Sequence, residues 1–231
     1  MLHTEYEWQS LEKKRIFAQS WIPESALKGI ICLVHGLGEH SGRYARWAEQ
    51  FVLAGYGMLA VDLPGHGRTE GRKAYVKDYD SLLDCVDLLL AKSEALFPDV
   101  PRILYGHSMG GNIAINYAIL RDAPYKGLIA SSPWLRLTFR VSPQELALGK
   151  LMNTLFPRVR FKRKGTNTER LSHDPEHWAD VRFDPLNHGM VTGRYVLIIH
   201  QHGVYALKHA GWIKMPFLLM HGGDDQVTSP E

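Results

Sequence analysis

Residues 102–111 are Arg-Ile-Leu-Tyr-Gly-His-Ser-Met-Gly-Gly, which we interpret as a short apolar strand, a tight turn at Ser108 and the start of a helix. The middle of this stretch fits the pattern Gly-x-Ser-x-Gly, in which a sharp strand-to-helix turn raises a serine hydroxyl above a sheet. Side chains in place of Gly106 and Gly110 would collide with neighbouring backbone in such a turn. The helix N-terminus would also favour developing negative charge at Ser108. The five residues alone also fit an ordinary glycine-rich connection, so the surrounding sequence has to decide whether Ser108 is a nucleophile.

The size and composition of the chain predict one domain with a well-buried core. It has 231 residues, of which 45% are hydrophobic. It contains no run of eighteen apolar residues and no basic segment followed by an apolar one at its start, so we expect neither a spanning helix nor an export signal. Cys32 and Cys85 lie in apolar runs and are predicted to be buried small hydrophobes rather than a disulfide, which favours a cytoplasmic location.

The net charge of +3 is unevenly distributed along the chain. Between Leu135 and Met190, ten Lys or Arg residues stand against six Asp or Glu residues, and the densest run is Arg158-Val-Arg-Phe-Lys-Arg-Lys164. Such a cluster can attract anionic lipid headgroups or nucleic acid. A short basic run is more often a solvated loop. We expect no nucleic-acid partner, and we leave peripheral membrane contact open.

Apolar runs and amphipathic stretches alternate over most of the chain. Strands are predicted at Tyr6–Gln9, Lys14–Trp21, Gly29–Val34, Gly57–Val61, Arg102–His107, Gly127–Ala130 and Pro216–His221, and helices at Tyr44–Ala54, Lys77–Leu96 and Gly110–Arg121. This alternation predicts an α/β fold with a mostly parallel sheet and helices on both faces. Ligands of such folds bind at the carboxyl ends of the strands.

The alternation breaks between Pro133 and Lys214. Helix-like stretches at 143–155 and 192–212 flank a polar, basic loop there. An insertion at this point predicts a helical cap over the crevice. The predicted division is therefore a core of residues 1–133 and 215–231 and a cap of residues 134–214.

Four motifs together resemble the monoacylglycerol lipase and lysophospholipase group of α/β-hydrolases, which is also close to serine aminopeptidase-like hydrolases. They are His35-Gly-Leu-Gly-Glu-His-Ser-Gly-Arg-Tyr44, Asp62-Leu-Pro-Gly-His-Gly67, Gly106-His-Ser-Met-Gly-Gly111 and His221-Gly-Gly-Asp-Asp225. The resemblance implies an α/β-hydrolase fold with an inserted cap. It also implies hydrolysis of a carboxylic ester of a lipid, such as a monoacylglycerol or lysophospholipid, through an acyl-enzyme on Ser108.

Serine catalysis also needs oxyanion donors and a carboxylate that orients a base. The N–H of Met109, the residue after the nucleophile, is the first expected donor. The resemblance assigns the second donor to the N–H of Leu37 and the acid to Asp225, with Asp224 as the alternative. His35 and Gly36, together with the two glycines of the serine turn, complete the structural motif.

The triad histidine is the point at which the sequence departs from this group. In α/β-hydrolases it follows the acid along the chain, and the resemblance implies a separation of roughly thirty residues, whereas the sequence ends at Glu231, six residues after Asp225. We therefore expect the base, the last strand and the last helix of the fold to be missing from these residues. The other histidines singled out are expected to be structural or to line the cap, and no metal or cofactor is expected: His35, His40, His66, His107, His200, His202 and His209.

Two further interpretations stay open. A peptidase or small-ester hydrolase would carry the same motifs and differ only in the shape of its cap pocket. A truncated hydrolase without catalysis would fit the missing histidine. The substrate therefore rests on analogy, and the acyl length, head group and oligomeric state are undetermined.

Overall fold

A computed structural model describes residues 1–122, 124–139, 143–162, 174 and 181–231 of the chain. The strands in these residues are β1 (Leu2–Gln9), β2 (Arg15–Ile22), β3 (Gly29–Val34), β4 (Tyr56–Val61), β5 (Arg102–His107), β6 (Gly127–Ser131), β7 (Arg160–Lys162), β8 (Met190–Thr192) and β9 (Phe217–Met220). The helices are α1 (Ala45–Leu53), α2 (Asp80–Leu96), α3 (Met109–Leu120), α4 (Pro143–Leu155) and α5 (Gly193–His209). Short 3-10 helices cover Ser41–Tyr44 and Ala210–Trp212. The last two residues of the basic run, Arg163 and Lys164, lie outside the described residues.

A seven-stranded sheet organises the molecule, with the strand order β1-β2-β4-β3-β5-β6-β9. β2 pairs antiparallel with β1 and β4, and the strands from β4 to β9 in this order are parallel. The predicted α/β class with a mostly parallel sheet is therefore confirmed. β5 lies between β3 and β6, so the turn at its carboxyl end is flanked by the loops that follow those two strands.

Both faces of the sheet are covered, as the residues of β3 show. All six of its residues are buried. Ile30 and Cys32 belong to the core cluster on the side of α2, α3 and α5, whereas Ile31 and Leu33 belong to the cluster on the side of α1. This alternation explains why the run is continuously apolar. The thiols of Cys32 and Cys85 are free and buried, as predicted.

Residues 134–214 contain α4, the β7-β8 pair and α5. Residues 160–162 were predicted to be loop, but they form β7, which pairs antiparallel with β8. α5 packs on α3 and buries Tyr195 and Ile199 in the core cluster that also covers the sheet. The division into core and cap stays a prediction. Among the described residues, no helix has the length and apolarity needed to cross a membrane.

Candidate active site

Ser108 forms a sharp elbow between β5 and α3. Its φ of 52° and ψ of −113° lie in a region that costs a residue other than glycine about 1–3 kcal/mol. Two hydrogen bonds hold this backbone: the Ser108 N–H donates to the Ser131 carbonyl at 2.9 Å, and the Ser108 carbonyl accepts the Trp134 N–H at 2.9 Å. The last residue of β6 and the chain that follows it therefore hold the elbow through both its N–H and its carbonyl group.

The glycines of the elbow are required by close backbone contacts. A Cβ atom on Gly110 would run into the carbonyl oxygens of Val34 and His35 at the end of β3. A Cβ atom on Gly106 would run into the carbonyl group of Gly110. Backbone atoms cannot move aside as a flexible side chain can. The start of α3 therefore packs directly against β3 only because Gly106 and Gly110 have no side chains.

The loop of residues 35–40, here called the β3 loop, lies against the elbow. A Cβ atom on Gly36 would lie 3.3 Å from the Ser108 Cβ and 2.7 Å from the Glu39 Oε1. The next residue, Leu37, is buried, as is Met109. Within the described residues, neither the Leu37 nor the Met109 N–H donates to a protein acceptor.

Glu39 braces the β3 loop from inside. Its Oε1 accepts the Gly36 N–H at 2.5 Å and the Tyr44 hydroxyl at 2.8 Å, and its Oε2 pairs with Arg43. Burial alone would raise the pKa of this carboxyl. Electrostatic interactions with His107 and Arg43, together with the Tyr44 hydrogen bond, instead lower the pKa of Glu39 to about 2. The β3 loop is thus built on a buried, ionised carboxylate.

The histidines beside the elbow make bracing contacts. His35 donates from Nδ1 to the Gly36 carbonyl at 2.8 Å and accepts the Leu63 N–H at Nε2, at 2.9 Å. Burial also lowers the pKa of His35, which favours the neutral ring that this pattern needs. His107 hydrogen-bonds the Ser131 hydroxyl at 2.9 Å. These contacts agree with the structural roles expected for both residues.

Asp225 lies in the loop after β9, where its carboxylate is tightly held. Its Oδ1 accepts the N–H groups of Val227 and Thr228 at 2.8 and 2.9 Å, and its Oδ2 accepts the Thr228 hydroxyl at 2.8 Å, with the His221 Nε2 3.3 Å away. Partial burial would raise the pKa of Asp225, but these hydrogen bonds lower it below its usual range. Asp224 beside it is exposed.

The Asp225 loop is joined to the elbow through the chain after β6. The Thr228 hydroxyl also lies 3.3 Å from the Ser132 carbonyl, and the Ser132 N–H donates to the Met220 carbonyl at 2.8 Å. The neighbouring residue, Ser131, accepts the Ser108 N–H. Ser108 and Asp225 therefore lie at the same edge of the sheet, on loops that follow strands separated by β6.

Comparison with known proteins agrees with the fold and the elbow geometry described above. Residues 25–231 match the model of the hydrolase family described as "Serine aminopeptidase, S33". The chain belongs to this family. The S33 match includes the whole parallel part of the sheet and all four motifs that carried the resemblance, so the expected α/β-hydrolase fold is confirmed.

Relatives of this S33 hydrolase include monoacylglycerol lipases. The enzyme of Mycolicibacterium smegmatis is 29% identical over 225 residues, which cover 97% of this chain and 80% of the relative. The crystal structure of the Paleococcus ferrophilus monoacylglycerol lipase matches with a TM-score of 0.76 at 30% identity, over 96% of this chain and 78% of that one. A soluble variant of monoglyceride lipase from Saccharomyces cerevisiae, solved with a substrate analog, matches with a TM-score of 0.81 at 25% identity, over 97% and 78% of the two chains.

Sequence reasoning missed two carboxylates that this S33 hydrolase places around the β3 loop. The spacing of Glu39 and Arg43, four residues apart at the start of a helix, was a usable signal for an ion pair. Asp184 hydrogen-bonds His40 from 144 positions along the chain. No local pattern predicts a contact over that separation.

Proposed function

We propose that this chain is a serine hydrolase that cleaves carboxylic esters of lipids, of the monoacylglycerol or lysophospholipid type, through an acyl-enzyme. The observation that carries the proposal is the elbow at Ser108 with Gly36 packed against it. This contact supports the expectation that the N–H groups of Leu37 and Met109 bind an oxyanion formed at Ser108. The relatives named monoacylglycerol lipase support the choice of a lipid ester.

In the proposed reaction the Ser108 hydroxyl attacks the ester carbonyl and gives its proton to a base. The N–H groups of Leu37 and Met109 bind the oxyanion that forms. The tetrahedral intermediate then releases the alcohol, which takes up the proton, and leaves the acyl group on the serine. Water attacks this acyl-enzyme and releases the fatty acid. Each oxyanion donor of this kind typically contributes about 10²–10³ in rate.

We favour Asp225 over Asp224 as the carboxylate that orients the base. Asp225 is fixed by two backbone N–H groups and a hydroxyl, and it stays ionised although it is partly buried. Asp224 is exposed. In α/β-hydrolases the histidine that the acid orients follows it along the chain, and none of residues 226–231 is a histidine.

Initial rates with three substrates test the proposal: monooleoylglycerol, lysophosphatidylcholine and an aminoacyl anilide. We expect hydrolysis of one of the lipid esters, and a fall of at least about 10³-fold in the Ser108→Ala variant. Preferential cleavage of the anilide would favour a peptidase instead. If the folded chain and its Ser108→Ala variant are equally slow on all three substrates, the alternative of a hydrolase without catalysis is favoured.

We also propose that the chain contacts lipid surfaces through α4 and β7. The apolar side chains there that are about half exposed or more form the α4–β7 surface: Leu151, Leu155, Phe156, Val159 and Phe161. Exposed cations lie among them: Lys150, Arg158, Arg160 and Lys162. Exposed apolar groups next to cations along the chain suit an anionic bilayer surface, such as the cytoplasmic leaflet. We therefore place the chain in the cytoplasm. We expect the chain to sediment with phosphatidylglycerol vesicles. Added salt should weaken this binding, and vesicles of phosphatidylcholine alone should not bind the chain.

A further inference from the structure

The β3 loop is bonded to a distant part of the chain, residues 181–190, here called the cap segment. The His40 Nε2–H donates to the Asp184 Oδ2 at 2.6 Å. The His188 N–H donates to the Gly38 carbonyl at 2.8 Å. The two bonds attach to the loop on either side of Glu39, which itself holds the Gly36 N–H. The cap segment therefore reaches the part of the loop that carries the expected oxyanion donor.

Asp184 is itself fixed within the cap segment. Its Oδ1 accepts the Leu186 N–H at 2.8 Å, and its backbone carbonyl accepts the Asn187 N–H at 3.2 Å. Partial burial would raise the pKa of Asp184, but the hydrogen bonds from His40 and Leu186 lower it below its usual range. The carboxylate is therefore ionised at neutral pH and does not reorient freely.

His40 links the fixed Asp184 carboxylate to the β3 loop. Its Nδ1 accepts the Gly42 N–H at 3.2 Å while its Nε2–H points to Asp184, so the ring is held at both nitrogens. The side chain is 9% exposed. A ring fixed in this way cannot rotate without breaking one of the two bonds, and its backbone continues directly into Glu39. Movement of Asp184 would therefore move the loop.

We propose that Asp184 is a positioning residue for the oxyanion hole, acting through His40 on the β3 loop. The inference rests on the proposed function of the Leu37 N–H. It makes catalysis depend on the cap segment: the donor is in place only while that segment is seated on the loop. A misplacement of about 1 Å in a catalytic group can cost roughly a hundredfold in rate, so a single carboxylate at this distance from Ser108 is able to matter.

Hydrogen–deuterium exchange of the full 231-residue chain tests this directly, with Asp184→Ala and Asp184→Asn compared with wild type. Asp122→Ala, at an exposed carboxylate after α3, is the matched control. We expect peptides covering residues 35–44 to exchange about fivefold faster or more in Asp184→Ala, at an intermediate rate in Asp184→Asn, which keeps an acceptor oxygen, and at the wild-type rate in the control. Unchanged exchange of this loop would overturn the proposal. So would equally faster exchange in β5 and α3, because that would be general destabilisation.

The kcat and KM for ester hydrolysis by the same variants distinguish a positioning role of Asp184 from a merely structural one. We expect kcat to fall about tenfold to a hundredfold in Asp184→Ala, with KM changed less than about twofold because ground-state binding is kept. A rise in KM at constant kcat would overturn the positioning role. If wild type hydrolyses no ester, the proposed function fails, while the exchange result still decides whether Asp184 positions the loop.

Discussion

The elbow around Ser108 and the α4–β7 surface differ in the surroundings of their glycines and in the burial of their apolar side chains. Gly110 lies against the carbonyl groups at the end of β3. In the part of the chain that the structure describes, by contrast, no atom beyond the chain neighbours and helix backbone of Gly149 lies within 4 Å of where a Cβ atom on this α4 residue would be. Met109 and Ile113 are fully buried, whereas Leu155 is 59% exposed. At the elbow, glycine is required by close backbone contact and the apolar side chains pack in the core. On the α4–β7 surface, we propose, the apolar side chains instead contact lipid.

The largest effect expected from this difference is on stability. Gly110→Ala should lower the free energy of unfolding by about 3 kcal/mol, because the added methyl meets backbone that cannot move aside. Gly149→Ala is the matched control and should raise it by about 0.5–1 kcal/mol, since alanine is the better helix former. Urea denaturation of both variants measures the two values. Equal effects would show that the contact at Gly110 does not constrain the elbow.

The second effect concerns the buried charge beside the elbow. The pKa of Glu39 is about 2 in the folded chain against an ordinary value of 4.5, so its ionisation stabilises the fold above pH 4.5 and that contribution is lost as the pH falls towards 2. The contribution is about 3 kcal/mol at neutral pH, of which roughly 2 kcal/mol is lost by pH 3. We expect the difference in unfolding free energy between wild type and Glu39→Gln to shrink by that amount between pH 6 and pH 3. A difference independent of pH would contradict an ionised Glu39.

The smallest effect on stability is expected at the exposed apolar surface. Leu155→Ser should change the free energy of unfolding by less than about 0.5 kcal/mol, yet weaken binding to phosphatidylglycerol vesicles about tenfold. Leu53→Ser is the matched control, because Leu53 is also exposed but lies on α1. Equal loss of vesicle binding in both variants would argue against the α4–β7 surface as the specific contact.

Sequence patterns correctly predicted those parts of the fold that depend on contacts between residues close together in the chain. The apolar run of β3, the elbow pattern and the bounds of α4 agree with the structure, since each depends on neighbours along the chain. α2 was predicted to begin at Lys77 but begins at Asp80. The Asp78 carboxylate, two residues before this start, accepts the Ser81 N–H at 2.9 Å. Aspartate side chains often bond nearby backbone N–H groups in this way, and the sequence analysis overlooked that signal.

Contacts between distant residues were not predictable in the same way. The pairing of β7 with β8 depends on the register between two strands that are distant in the sequence, and the bond between His40 and Asp184 joins positions 144 residues apart. The amphipathic pattern of α5 predicted a helix but not that it packs on α3. For the candidate site, the motifs therefore named the residues at the elbow, while the carboxylates that brace the β3 loop became visible only in the fold.

The most direct test of an assembled nucleophile elbow is labelling of the purified chain with a fluorophosphonate probe, followed by peptide mapping. We predict one adduct, on Ser108, that is absent in Ser108→Ala and strongly reduced in Gly36→Ala, where the added methyl would press on both Ser108 and Glu39. Circular dichroism of each variant confirms that it is folded. A folded wild-type chain that takes up no probe would contradict a catalytically competent elbow in these 231 residues, and equal uptake in Ser108→Ala would contradict the assignment of Ser108 as the nucleophile.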